Sequence, residues 1–109
     1  MRTKILLAIA LTTLLLAAPA KKTFKGVITD SMCSNGNHKS MQMGPTDGEC
    51  TTACVMEHGA EYVLFDGEHT YTLSDQKTPE KFAGKKVAVT GTLDEKAHTI
   101  KVESIAAAK

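Results

Sequence analysis

The side chains best suited to metal binding or disulfide formation are concentrated in one stretch of this 109-residue chain. All three cysteines lie between residues 33 and 58, together with two of the four histidines and several methionines. Thiolate, imidazole and thioether groups are ligands that zinc and copper ions prefer. Cysteine also forms the disulfides that stabilise small exported domains. The candidate metal ligands are Cys33, His38, Met41, Met43, Cys50, Cys54 and His58.

Three of these residues, Cys50, Cys54 and His58, recur every fourth residue in a predicted helix over residues 47–58. Thr46 followed by Glu49 is typical of a helix N-terminus, and Gly59 is typical of a residue that ends a helix. The Cys-x3-Cys-x3-His run resembles the ligand run of the binuclear copper site of oxidase subunits. On a helix, however, Cys50 and His58 would lie about 12 Å apart, too far to share one ion. The helix would therefore offer one ion either Cys50 with Cys54 or Cys54 with His58.

A mononuclear site could be completed from the preceding loop. Cys33 and His38 would add a thiolate and an imidazole, and a set of three cysteines and one histidine is typical of structural zinc. Met41 and Met43 could join if the ion were Cu(I), because Cu(I) favours thiolate and thioether ligands. The sequence therefore indicates zinc or copper as the possible cofactor, without selecting between them.

A disulfide is the main alternative use of the cysteines. A bridge from Cys33 to Cys50 or Cys54 would close a loop of roughly 20 residues and stabilise the domain by about 3 kcal/mol. One cysteine is left over in every pairing, so metal ligation and a disulfide are compatible. A third interpretation is a thiol enzyme in which His58 activates Cys54. No pattern in the sequence indicates an oxyanion hole or a thioredoxin-type Cys-x-x-Cys motif.

Residues 1–20 have the layout of a secretory signal peptide. Arg2 and Lys4 precede an apolar run over residues 5–16, and Ala-Pro-Ala at residues 18–20 is a typical cleavage site. The run is shorter than the roughly 20 apolar residues that a membrane span needs. We therefore expect a periplasmic or secreted protein whose mature chain, residues 21–109, has no membrane span.

The charge of the mature chain limits its partners. The chain has 13 basic and 12 acidic residues, and removal of Arg2 and Lys4 leaves 11 basic residues. This balance, together with the absence of tryptophan, argues against nucleic acid as a partner. A metal ion or an unknown protein remains as the expected partner.

The rest of the chain predicts a single all-β domain over residues 21–109 with an insertion over residues 30–60. Asp66-Gly67 is a hairpin signal that would pair Tyr62 with Tyr71 and Leu64 with His69. The predicted order is one strand, a loop that contains a helix, two strands, a short helical turn and two more strands. This is the order of an OB-fold, a small five-stranded barrel. The predicted strands are 23–29, the two arms of a hairpin within 61–74, 86–93 and 98–105. The second helical turn starts at Thr78 and ends at Gly84, and 106–109 is a frayed tail. Alternation along the last two strands predicts that Val87, Val89, Ile100 and Val102 are buried, whereas His69 and His98 are expected at the surface. Asp30 is predicted to be a turn residue.

Four motifs carry a family resemblance. They are DSMC at residues 30–33, CTTACV at 50–55, GAEYVLFDG at 59–67 and AGKKVAVTGTL at 83–93. This pattern resembles a family of small exported bacterial proteins of unknown function. The resemblance supports the OB-like fold but implies no activity. We therefore expect a small non-enzymatic binding module, with a disulfide-stapled structural or protein-interaction domain as the alternative.

Overall fold

A computed structural model describes residues 20–109 as five strands, one α-helix and one 3₁₀ turn. The predicted leader lies outside the described residues except for its last residue. The elements, in chain order, are β1 (Lys22–Asp30), α1 (Asp47–His58), β2 (Tyr62–Phe65), β3 (Thr70–Leu73), the 3₁₀ turn (Thr78–Phe82), β4 (Lys86–Asp94) and β5 (Thr99–Ala107). The predicted element order is confirmed. The predicted frayed tail is wrong in part, because Ala106 and Ala107 pair with Ala88 and Val87 on β4.

The five strands form one sheet in the order β1-β2-β3-β5-β4. β1 pairs antiparallel with both β2 and β4, so the first and last strands of this order meet and the sheet closes. β3 and β5 pair in parallel through Thr72–Thr99 and Leu73–Ile100. No helix among residues 20–109 has the length and apolar character needed to cross a membrane.

The core lies inside the sheet. The predicted inward residues Val87, Val89 and Ile100 are fully buried, whereas Val102 is only partly buried and packs against them. The remaining buried members of this cluster are Ile28, Tyr62, Leu64 and Leu73. Val55 of α1 also packs against it, so the helix is part of the same packed unit.

β4 and β5 bend at Gly91. Gly91 pairs with Val102 and Thr90 pairs with Ser104, so Glu103 is an extra residue and the ladder has a bulge. A Cβ at Gly91 would overlap the backbone of Lys101. Glycine is therefore required where the two backbones approach this closely.

The predicted register of the β2–β3 hairpin is wrong by two residues. Leu64 pairs with Tyr71, and Phe65 pairs with Thr70. The Asp66 carboxylate accepts hydrogen bonds from the backbone N–H groups of Glu68 and His69, so Asp66 is the first residue of the turn. Because the shift is an even number, the same side chains still face the core.

Helix α1 begins and ends where the sequence predicts. Thr46 Oγ1 accepts the N–H of Glu49 at 3.1 Å, and Gly59 ends the helix with a left-handed φ of 67°. The first turn of the helix rests on the loop after the 3₁₀ turn, where a Cβ on Gly48 would overlap the carbonyl of Ala83. This close approach fixes the helix with Cys50, Thr51 and Cys54 on its buried side.

Candidate metal centre

Three buried side chains converge between the end of β1 and the first turns of α1. The Sγ atoms of Cys33 and Cys50 and a ring nitrogen of His38 all lie within 4.8 Å of one another. Cys33 is 3% exposed, Cys50 1% and His38 8%. Ligands bound to one zinc ion at 2.0–2.3 Å are roughly 3.3–3.8 Å apart, so small side-chain movements would bring these three atoms to bonding distance. The three donors lie close enough to hold a metal ion.

A turn after β1 positions Cys33. Asp30, the last residue of β1, is fully buried, and its Oδ1 accepts the N–H groups of Met32 and Cys33, each at 3.0 Å. The backbone carbonyl of Asp30 accepts the same Cys33 N–H at 3.1 Å. The chain is thereby reversed immediately after the strand, which directs Cys33 toward α1.

Helix α1 brings Cys50 to this turn and makes it the central thiol of the cluster. Cys50 lies one helical turn before Cys54, and its Sγ is within 4.8 Å of the Sγ of Cys33. Its Sγ also accepts the backbone N–H of Met43 at 3.3 Å. All three cysteines are free thiols, so the predicted disulfide from Cys33 to Cys50 or Cys54 is absent. A disulfide requires two sulfur atoms about 2.05 Å apart, and no two of these three buried cysteines are joined in this way.

His38 lies between Thr29 and Asp30. The Thr29 hydroxyl donates to the Cys33 carbonyl at 2.7 Å, so its 3.4 Å contact with His38 Nε2 requires that ring nitrogen to be the donor. In the neutral ring this leaves the lone pair on Nδ1. Nδ1 has no hydrogen-bond partner, and it lies 3.9 Å from Asp30 Oδ2, which is also buried and unpartnered. Two buried acceptors facing each other form a place that favours a cation.

The electrostatics of the cluster oppose additional negative charge. Burial, the Asp30 carboxylate and Cys50 raise the pKa of Cys54 to about 12. The same causes raise the pKa of Cys33 above its ordinary value. At neutral pH both groups are therefore neutral thiols, and a bound cation would be needed to draw a thiolate from Cys33.

The other predicted site residues lie outside the group of three. Cys54 is fully buried one helical turn after Cys50 and is not one of the three converging donors. His58 is exposed at the end of α1, as expected for a histidine that favours the helix C-terminus. Met41 and Met43 are half-buried. His69 and His98, which we expected at the surface, are exposed.

A surface cleft adjoins the cluster. Its volume is about 420 Å³, and both His38 and Cys50 form part of its wall. The remaining wall residues, from the loop and the start of α1, are Gly36, Asn37, Lys39, Gln42, Gly44, Pro45, Thr46 and Asp47. Two of the three donors are thus next to a solvent-accessible space although they are almost fully buried.

Sequence reasoning missed part of this site. The predicted turn role of Asp30 is confirmed, but nothing in the sequence indicates a role for its second carboxylate oxygen. No sequence pattern marks Thr29 either. The contacts of these two residues with His38 depend on how the loop folds back onto β1, and no local pattern marks that approach.

Comparison with known proteins identifies a family but no better-characterised relative. No curated protein and no solved structure matches the chain. The family pattern of DUF5818, described as a protein of unknown function, matches residues 54–108, which is just over half of the chain. This match covers β2 to β5 and begins at Cys54, after Cys33, His38 and Cys50. The chain belongs to the DUF5818 family of proteins of unknown function.

Proposed function

We propose that this protein is a small non-enzymatic binding module that holds one zinc or Cu(I) ion through Cys33, His38 and Cys50. The observation that carries the proposal is the convergence of these three donors within 4.8 Å in a buried position. Two thiolates and an imidazole suit both ions. The free lone pair on His38 Nδ1 supplies the nitrogen donor.

The surroundings of the donors support a cation as the ligand. Asp30 Oδ2 is buried, lacks a hydrogen-bond partner and lies beside His38. Asp30 Oδ2 lies 3.9 Å from His38 Nδ1, the nitrogen that would bind the ion, so the carboxylate charge would act directly on the bound cation. A metal ion would compensate the negative charge of Asp30, which a neutral cluster of thiols cannot do.

We also propose that the domain is an OB-like barrel exported to the periplasm or secreted. The closed strand order, the parallel β3–β5 pair and the short helical turn between β3 and β4 support the OB-like assignment. The cluster belongs to the β1–β2 connection, which OB-folds commonly use to bind ligands. The signal-peptide pattern of residues 1–20 supports export.

Titration of reduced, metal-free protein with Zn²⁺ and with Cu⁺, each against a competing chelator, tests the proposal. We expect one ion per chain and at least a tenfold loss of affinity in Cys50→Ser and in His38→Ala. His58→Ala is the matched control, since this histidine is exposed outside the cluster, and its affinity should equal that of the unmodified protein. Equal affinity in His38→Ala and His58→Ala would contradict the proposed ligand set.

The disulfide-stapled alternative would use two thiols of the same cluster, since the Sγ atoms of Cys33 and Cys50 lie within 4.8 Å of each other. The intact mass of protein isolated without reductant distinguishes the two functions. A mass lower by two hydrogen atoms, with no bound metal and no metal binding after reduction, would favour the disulfide-stapled domain. A fully reduced mass with one bound metal ion would favour the metal-binding module.

A further inference from the structure

We infer that a zinc ion bound at this site has an open fourth coordination position that faces the cleft beside His38 and Cys50 and takes a neutral donor from solution. This inference rests on the proposed metal site and adds its ligand chemistry. Water would occupy the position at rest, and a neutral nitrogen donor such as imidazole would replace it.

The number of protein donors is the first argument. The group of mutually close donors contains three residues, and neither Cys54 nor Asp30 is one of them. Zinc sites with four protein ligands are closed, whereas sites with three keep a position for water or another ligand. Cys54 is buried on the same side of α1 as Cys50, one helical turn later, and lies outside the group of three donors.

The position of the cleft is the second argument. His38 and Cys50 both form its wall, so an ion bound to them would be next to this space. The cleft volume of about 420 Å³ is many times the roughly 30 Å³ that one water molecule occupies in the liquid. A five-membered ring therefore fits, and exchange with solvent does not require the domain to unfold.

The negative charge around the ion favours a neutral fourth ligand over an anionic one. Two thiolates neutralise a divalent ion, so a third anionic ligand would give the buried site a net negative charge. Asp30 is already fully buried next to His38 and adds a further negative charge. Taking an uncompensated charge out of water is costly, whereas a neutral donor adds no charge.

Cobalt substitution tests this inference separately from the proposed function. Co²⁺ is added to the reduced, metal-free protein, and thiolate-to-cobalt absorption reports whether the metal site forms. The Co²⁺ protein is then titrated with imidazole and, in parallel, with azide. We expect a saturable change of the visible cobalt bands with imidazole and at least tenfold weaker binding of azide. Failure to form the cobalt complex would contradict the proposed function itself.

Two sets of variants localise the added ligand. Gln42 is exposed and lines the cleft. Its backbone N–H donates a hydrogen bond to the backbone carbonyl of His38, so its side chain can be changed without removing that hydrogen bond. Gln42→Trp should weaken imidazole binding about tenfold, and Gln42→Ala is the matched control that should leave it unchanged. Cys54→Ser should leave the thiolate-to-cobalt absorption unchanged.

Three outcomes would contradict the open position for a neutral donor without contradicting the metal site itself. Cobalt bands that respond to neither probe would show a closed site. Loss of thiolate-to-cobalt absorption in Cys54→Ser would make Cys54 the fourth ligand. Azide binding as tight as imidazole would remove the preference for a neutral donor.

Discussion

Replacing Asp30 separates its two roles, because one carboxylate oxygen holds a turn and the other faces His38. In the metal-free protein, Asp30→Ala removes the acceptor for the N–H groups of Met32 and Cys33. The Cys33 N–H still has the backbone carbonyl of residue 30 at 3.1 Å, so the Met32 N–H alone loses its partner. One hydrogen bond to a charged acceptor contributes about 1.5–3 kcal/mol. We therefore expect the free energy of unfolding to fall by about 2 kcal/mol.

Asp30→Asn has a different expected effect. An amide oxygen in place of Oδ1 can still accept both N–H groups, so the metal-free protein should lose no more than about 1 kcal/mol. The negative charge beside His38 is lost, however. Opposite unit charges about 4 Å apart attract by about 1 kcal/mol in water and about 4 kcal/mol at an effective dielectric constant of about 20, so loss of this charge should lower metal affinity roughly 10–100-fold. For Asp30→Asn we expect zinc affinity to fall by about that factor.

Urea unfolding of reduced, chelator-treated protein measures the first effect, and competitive zinc titration measures the second. Asp75→Asn is the matched control, since the Asp75 carboxylate also accepts two backbone N–H groups in a turn but belongs to no metal cluster. Its zinc affinity should be unchanged. If Asp30→Asn binds zinc as tightly as Asp75→Asn does, the argument that Asp30 supports the metal site is wrong.

Three further predictions concern the fold and the thiols. Gly91→Ala should lower the free energy of unfolding, measured in urea, by about 1–3 kcal/mol, because the added Cβ would overlap the backbone of Lys101. A loss no larger than that of Thr92→Ala would contradict this prediction. Hydrogen bonds from Thr78 and Lys77 hold the folded pKa of Asp75 below 3.8. The Asp75 carboxylate therefore stabilises the fold above that pH, and this contribution is lost as the pH falls through the folded pKa. In urea unfolding, Asp75→Asn should lose less stability between neutral and acidic pH than the unmodified protein does. In reduced, metal-free, folded protein the three buried cysteines should react with iodoacetamide at least tenfold more slowly than an exposed cysteine introduced by Ser104→Cys, and rapid native alkylation of any of them would refute their burial.

Local signals in the sequence were sufficient for the helix that carries Cys50. Thr46, Glu49 and Gly59 predict its boundaries because capping interactions join residues only a few positions apart. The same holds for the alternation of Val87, Val89 and Ile100, since side-chain direction in a strand depends on local geometry. The predicted β2–β3 register is wrong because the Asp66 carboxylate accepts two backbone N–H groups, which makes Asp66 the first residue of the turn. The Asp-Gly pair alone indicates that Asp66 is the second residue of the turn.

The sequence by itself determined which residues could bind a metal and placed them in one insertion between the first two strands. Only the tertiary structure decided which of them meet. Cys33, His38 and Cys50 converge because a turn held by Asp30 and a helix resting against Ala83 bring distant backbone segments together. His58 lies one helical turn after Cys54 on the same helix, yet its side chain is exposed at the surface. Spacing along a chain fixes distances within one element, whereas contacts between elements depend on packing that no short pattern encodes.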